Sequence, residues 1–419
     1  MFCYRNFGSK KEKGMKKKIG IVSLGYAWLP CEPGPSRFYY IAKMFAEHRF
    51  DVELIGSGFQ HFEKRPRDKE KIRKQGYPFL NTFIDVLPYK KNIDVRRALG
   101  NKIAAVRLMR YLRGREYDLI YCSIPANNIS AKVGAYCKEK GIPFVVDIED
   151  LWPEAMEMVF HVPLVKNLLF SYFKKDAKKT YRNADAVIGT SDEFTNRAFL
   201  HRERNIPSAT VYVGCDLEIF DSGVAEFAGA IFKQDKEFWV TYAGSIGASY
   251  DIRTLVLAAA KLHQAGQSNI KIKILGTGPL KEELEALAKS LGCVNVEFCG
   301  YVEYKKMAAY LGKSDLLINS FVKGASQSIV NKVGDYLAAG KPMINTLASR
   351  EFMGLVKEYG FGANIEAECA QELFGVILSY AGDMRRCIEE GIAARKLAET
   401  KFDRKTSYRT IIELVNGLV

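Results

Sequence analysis

The chain alternates short apolar runs with stretches of helical periodicity, and it does so twice. "KKIGIVSL" and "DVELIGS" are strand-length apolar runs, and "SRFYYIAKMFAEH" between them spaces its apolar residues as a helix does. "YDLIYCS", "NISAKVGAYCKEKG", "PFVVDIE" and "DAVIGTS" continue the series, with Gly141 placed to end the helix before the next strand. Strand, helix, strand at this spacing means βαβ units and a parallel sheet. After residue 235 the pattern restarts in "FWVTYAGS", "RTLVLAAAKLHQAG", "IKIKILGTG", "PLKEELEALAKSLG", "VNVEFCG", "YKKMAAYLGK", "DLLINS" and "KPMINT". No sequence repeat accompanies the repeated architecture. Between the halves, "VYVGCDLEIFDSG" reads as a strand followed by turn residues, a hinge, and the final "FDRKTSYRTIIELVNGL" reads as a helix that crosses back.

At 419 residues the chain exceeds the size at which one core keeps growing. The expected organisation is therefore a basic, disordered extension over 1–15, a Rossmann-like domain over 16–213 and a second over 214–401. A C-terminal helix over 402–419 packs onto the first. Doubly wound α/β domains facing a central cleft put their ligands at the carboxyl ends of the strands.

Composition narrows the partners. Residues 1–215 hold 38 Lys and Arg against 23 Asp and Glu, whereas residues 216–419 hold 24 against 25, so one half carries the whole excess of +14. Such asymmetry suits an anionic partner, either a membrane surface or nucleic acid. "KKNIDVRRALGNKIAAVRLMRYLRGR" and "VPLVKNLLFSYFKKDAKKTYR" fit helices at an anionic membrane surface, or core helices with a solvated basic face. No RNP-type strand or zinc-finger spacing supports nucleic acid. No apolar run reaches the 18 or so residues that span a bilayer. The start is not a signal peptide, and Met15 opens a more natural beginning. Nine cysteines, scattered and never Cys-x-x-Cys, point to a reducing cytoplasm without disulfides, and no metal site is visible.

Three features carry candidate chemistry. "YAGSIG" and "LGTGP" put Gly244, Ser245, Gly247, Gly276, Thr277 and Gly278 in consecutive βα turns, where glycine lets backbone N–H groups approach a phosphate or simply makes a tight turn. Glu149, Asp150, Trp152 and Glu154 follow the strand "FVVDIE", a carboxylate cluster suited to hold acceptor hydroxyls or take a proton. Asp150 as a cap for a helix begun by Pro153 is the plainer reading. In "QSIVNKVGDYLAAGKP", Lys332 and Asp335 are three apart and share a helix face near its start. That pair is either a solvated helix end or a phosphate and ribose clamp.

The ordered set "YAGSIG", "IKILGTGPLKEEL", "NVEFCGYV", "DLLINS" and "NKVGDYLAAGKP" resembles the nucleotide-sugar domain of retaining GT-B glycosyltransferases of family 4. "PGPSRFYYIAKMFAEHRFDVELI", with Gly34 in its glycine loop, resembles the opening of their first domain, and "DIEDLWPE" a segment of members that build cell-envelope polysaccharides. The resemblance implies sugar transfer from a nucleotide-diphosphate sugar to a glycan or polyprenyl-linked acceptor at the cytoplasmic face of the membrane, with retention and no metal or other cofactor. It implies a sugar contact at Gln327, ribose contact at Asp335 and diphosphate contact at Lys332. N–H donors come from Ser328 to Asn331, and further donor contacts from Tyr301, Val302 and Arg253. Tyr250 stands where many relatives carry a lysine, and Glu149 or Asp150 where many carry a histidine. A nucleotide-sugar epimerase or hydrolase of the same shape is the alternative within enzymes, and a basic nucleic-acid-binding protein the alternative outside them.

Overall fold

The computed structural model describes residues 16–25, 27–32, 36–61, 63–90, 95–124, 127–150, 163–201, 205–325 and 327–419. The expected extension over 1–15 and three acceptor-side candidates, Gly34, Trp152 and Glu154, lie outside the described residues, as does the helix start expected at Pro153. Two compact units emerge. One takes the chain to Gly189 with Phe194–Ala209 and Thr410–Val419, and the other takes Thr190–Glu193 and Thr210–Arg409.

The first unit is built on a seven-stranded sheet in the order β5-β2-β1-β6-β7-β8-β9. Its strands are β1 (Lys18–Val22), β2 (Asp51–Ser57), β5 (Leu80–Ile84), β6 (Leu119–Ile124), β7 (Phe144–Ile148), β8 (Ala186–Gly189) and β9 (Ser208–Thr210). A two-stranded ribbon, β3 (Phe59–Gln60) with β4 (Arg65–Pro66), stands apart. β1 pairs in parallel with β2 on one side and β6 on the other. Its residues Ile19 and Ile21 are wholly buried, as a strand covered on both faces must be. The second unit has six parallel strands in the order β12-β11-β10-β13-β14-β15. These are β10 (Phe238–Ala243), β11 (Ile270–Leu275), β12 (Val296–Gly300), β13 (Leu316–Asn319), β14 (Met343–Asn345) and β15 (Gly362–Asn364). Each sheet reverses its winding once, between β1 and β6 and between β10 and β13, and such a switch point leaves a crevice at the strands' carboxyl ends.

The connection read as a hinge differs from expectation. The strand is Ser208–Thr210, not "VYVGC", and the run read as turn residues is an 11-residue helix, Leu217–Phe227. Asp216 caps it by accepting the Ile219 N–H at 3.1 Å, and Leu217, Phe220 and Gly223 face inward at helical spacing. The terminal segment is also broken. Asp403 starts a four-residue helix and bridges to Cys215, which keeps residues 402–409 with the second unit. The following helix, Arg409–Asn416, buries Ile411, Ile412 and Val415, and Thr410–Val419 belongs to the first unit. Gly141 has φ 69, the left-handed helix end expected of it.

Candidate active site

Lys332 opens the helix Lys332–Ala338, and its side chain turns into the switch-point crevice of the second unit. Its ammonium lies 4.2 Å from the ring centre of Tyr242 on β10, 4.7 Å from Tyr250, 5.1 Å from Phe321 just past β13, and 5.9 Å from Tyr336. The residue as a whole is half-buried, yet Nζ itself is closed from solvent and has no hydrogen-bond partner. Burial pulls its pKa down to about 7. Ring faces within about 6 Å favour the charged form, so burial and the cage act in opposite directions. Two more polar atoms of the same segment are enclosed and unpartnered, Gln327 Oε1 and Ser328 Oγ. A buried polar group without a partner costs about 1–3 kcal/mol, so three within six residues mark a place built for something else to bind.

Asp335 does not join Lys332. Its Oδ1 accepts a hydrogen bond of 2.7 Å from the Tyr304 hydroxyl, and burial raises its pKa to about 6 against the lowering influence of that bond and of Arg404. The shared helix face read from the spacing thus divides, the cation going to the aromatic cage and the carboxylate to Tyr304. Gly334 between them packs on the Gly214 backbone, where an added Cβ would come 2.8 Å from the Gly214 carbonyl carbon. The helix has seven residues, and Asn331 caps it without a side-chain bond. Asn331 is exposed.

The glycine turns interlock. Gly244 N–H bonds to the Leu275 carbonyl at 2.9 Å, Ile246 N–H to Thr277 at 3.0 Å, and Gly276 N–H to Gly300 at 2.7 Å. The first two bonds continue the β10–β11 ladder and the third the β11–β12 ladder, and those of Gly244 and Gly276 consume donors that the sequence reading offered to a phosphate. Ser245, Gly247, Thr277 and Gly278 keep N–H groups without a partner among the described residues. Glycine is obligatory where the turns touch, since a Cβ on Gly276 would lie 1.8 Å from the Gly244 carbonyl oxygen and one on Gly278 2.2 Å from that of Ile246.

The remaining candidates spread out. Arg253 is exposed and sits 3.9 Å from Glu283, so it neutralises a carboxylate rather than entering the cage. Tyr301 is 80% exposed, and Val302 packs against the core. Glu149 and Asp150 are half-buried just beyond β7, in the first unit. Sequence reasoning missed the cage itself. Tyr250 looked like a lost lysine, whereas its ring is one wall around the lysine that remains.

Two family models match the chain. "Glycosyltransferase Family 4" covers residues 36–219, and "Glycosyl transferases group 1" covers residues 237–380. Together the two models span most of the chain, and its fold is that of the GT-B glycosyltransferases. Solved structures of that shape superpose over almost its whole length. The Anabaena protein Alr3699/HepE in complex with UDP has a TM-score of 0.69 at 17% identity, over 96% of this chain and 100% of that one. Sucrose-phosphate synthase of Thermosynechococcus elongatus has a TM-score of 0.71 at 15% identity, over 96% and 99%. At such identities the likeness is one of fold. Among curated relatives, a Campylobacter jejuni GalNAc-alpha-(1->4)-GalNAc-alpha-(1->3)-diNAcBac-PP-undecaprenol alpha-1,4-N-acetyl-D-galactosaminyltransferase is 29% identical over 161 residues, 38% of this chain and 41% of that protein. The putative colanic acid biosynthesis glycosyl transferase WcaI of Escherichia coli is 23% identical over 204 residues, 48% of each. The GT-B chain thus matches less than half the length of either relative.

Proposed function

We propose that the chain transfers a sugar from a nucleotide-diphosphate sugar, held in the second unit, to a glycan or lipid-linked acceptor in cell-surface polysaccharide synthesis. The observation that carries this reading is the unpartnered Lys332 ammonium at the switch point, with Gln327 Oε1 and Ser328 Oγ enclosed and unpartnered beside it in sequence. The reading is supported by the UDP and UDP-glucose complexes of the Anabaena protein and by the undecaprenol-linked acceptor named for the Campylobacter relative. On this account the donor diphosphate exchanges the ring faces around Lys332 for its own oxygens. The N–H groups of Ser245, Gly247, Thr277 and Gly278 share the charge as the nucleoside diphosphate leaves, an electrostatic role that needs no metal. Asp335 accepts ribose hydroxyls, Gln327 bonds the sugar, and Asp150 takes the acceptor proton. We assign retention of anomeric configuration to the reaction, to be read from the anomeric coupling of the product.

The donor assignment has a distinctive mutational signature. Asp335→Asn is expected to weaken UDP and UDP-sugar by a similar factor, because both carry the ribose. Gln327→Ala is expected to spare UDP and weaken only the sugar-bearing donor, by about tenfold for one hydrogen bond left unmade in a buried site. Calorimetric titration of each variant with both ligands reads the difference. Equal effects on the two ligands in Gln327→Ala would remove the sugar contact from this residue.

The same reading places the chain peripherally at the cytoplasmic face of the cell membrane, with an anionic lipid surface as partner. Among the described residues no helix is long and apolar enough to cross a membrane. The helix Val95–Arg113 buries Ala104, Ala105, Leu108 and Leu112 but leaves Leu99 and Val106 more than half exposed among its basic residues. Sedimentation with phosphatidylglycerol vesicles is expected at low salt and lost at high salt, since exposed charges are screened beyond about 8 Å at physiological ionic strength. Salt-independent sedimentation, or none at low salt, would contradict it.

A further inference from the structure

The second unit carries an exposed apolar row at the opposite end of its sheet from the lysine cage. On the helix Met384–Leu397, Met384, Ile388 and Ile392 are 49%, 61% and 65% exposed, and residues four apart stand in one row. Beside the row runs a groove walled by Phe220 and Val224 of the helix Leu217–Phe227 and by Gly312 and Ala339. Asp315 and Lys341 also line it, and they precede β13 and β14. The groove therefore lies at the amino ends of those strands, whereas Lys332 lies at the carboxyl ends. The helix that bears the row is fixed in place. Gly391 is seated on the turn below it, where an added Cβ would come 2.4 Å from the Gly340 carbonyl oxygen. Arg395 pins the same helix by donating to Asp221 at 2.7 Å and to the Ala338 carbonyl at 2.9 Å. Large apolar side chains that a fixed helix holds in water, rimmed by charges, are what an interface buries.

The charges around the row are balanced. Arg395 pairs with Asp221, Lys233 with Asp315, and Arg385 with Glu389. An anionic lipid or nucleic acid would call for an excess of cations, and residues 216–419 hold 24 Lys and Arg against 25 Asp and Glu. A surface that meets its own copy needs the reverse, a rim in which neither sign dominates. It must also supply both knob and hole, because a two-fold axis sets the same patch against itself. Here the row and the groove adjoin. We propose that this face pairs two copies of the chain about a two-fold axis, the Met384–Ile392 row of each entering the groove beside the other's row. Rows of residues four apart interdigitate with rows of the same kind in the commonest class of helix pair. With the axis level with Ile388, Met384 stands opposite the second copy's Ile392. Arg385 then comes within two residues, about 3 Å of rise, of the second copy's Glu389 on the same side of the seam. Because the face lies at the amino ends of the strands, pairing leaves the crevice at their carboxyl ends free.

Sedimentation equilibrium of the full chain between about 1 and about 100 µM tests the pairing, because the population of a dimer depends on protomer concentration. The parent is expected to reach the mass of two chains within that range. Ile388→Asp is expected to stay at the mass of one, with its circular dichroism unchanged. Arg385→Glu and Glu389→Arg each set like charges across the axis, and each is expected to weaken pairing by about tenfold. An equimolar mixture of those two variants is expected to recover the parental mass, since each cation then meets a carboxylate. That recovery distinguishes a second copy from any other occupant. The proposal is overturned by a parent at the mass of one chain throughout, by an Ile388→Asp protein that pairs like the parent, or by a mixture that pairs no better than its components. Loss of vesicle sedimentation in Ile388→Asp at unchanged mass would also overturn it and assign the row to lipid.

Discussion

Lys332→Met is expected to abolish measurable sugar transfer and, at the same time, to raise the melting temperature of the unliganded protein. The two effects have one cause. An ammonium enclosed by Tyr242, Tyr250, Phe321 and Tyr336, with no hydrogen-bond partner, is a burden on the folded state. Replacing a buried ion by an apolar side chain of similar length stabilises by about 1–4 kcal/mol in favourable cases, and a thioether packs well on ring faces. Losing the charge removes the group that faces the donor diphosphate, worth about ten- to a hundredfold in affinity and more in turnover if the charge grows in the transition state. The stability gain has a predictable pH dependence. Lys332 titrates near 7 when folded and at its ordinary 10.5 when unfolded, so the unfolded chain holds the extra proton between those values. Parent stability therefore rises with pH across that window, and the advantage of Lys332→Met is largest at and below about pH 7 and fades toward about pH 10. Thermal melts of both proteins across pH check it. A variant less stable than the parent would mean that the cage is held by the cation and not burdened by it.

Gly276→Ala is expected to cost about 3 kcal/mol or more and to lose donor binding with it. Gly276 has φ 141, a conformation that side chains rarely adopt, and its Cβ would meet the Gly244 oxygen at 1.8 Å. Backbone strain of that kind is worth about 1–3 kcal/mol, and the overlap adds a forced separation of the two turns. Because Gly244 N–H and Ile246 N–H bond to the neighbouring turn, separating them breaks the ladder that aims Ser245 and Thr277. Gly247→Ala is the contrast, since nothing lies within 4 Å of its Cβ, and it is expected to melt like the parent. If the two variants melt alike, the interlocking of the turns does not hold the site.

Much of this architecture was legible because the repeating apolar runs have strand length and the intervening segments have helical period, two signals that local physics writes directly into sequence. The short edge strands β9 and β15, three residues each, carry too few residues to show a period. The helix Leu217–Phe227 was hidden by Asp216, Asp221, Ser222 and Gly223, which read as turn chemistry although Asp216 is in fact a cap. At the site, the sequence pointed to Lys332, Asp335 and the two glycine turns. It could not show that Lys332 and Asp335 part company, because three residues on a short helix leave the outcome to what each side chain meets. Nor could it show the cage, whose four rings come from β10, the loop after it, the loop after β13 and the helix itself.

The central claim is that the Lys332 ammonium holds the donor diphosphate, and the dissociation constant of a UDP-sugar measured across pH tests it most directly. A UDP-sugar has no phosphate that titrates near neutrality, so the enzyme's own groups set the profile. In the parent, affinity is expected to fall by about tenfold or more between about pH 7 and about pH 9, as the free lysine loses its proton through about 7, and Lys332→Met is expected to bind weakly with a flat profile across the same range, which lies above the titration of Asp335 near 6. A parent whose affinity does not change over that range, or a Lys332→Met protein that binds the UDP-sugar as tightly as the parent, would contradict the account.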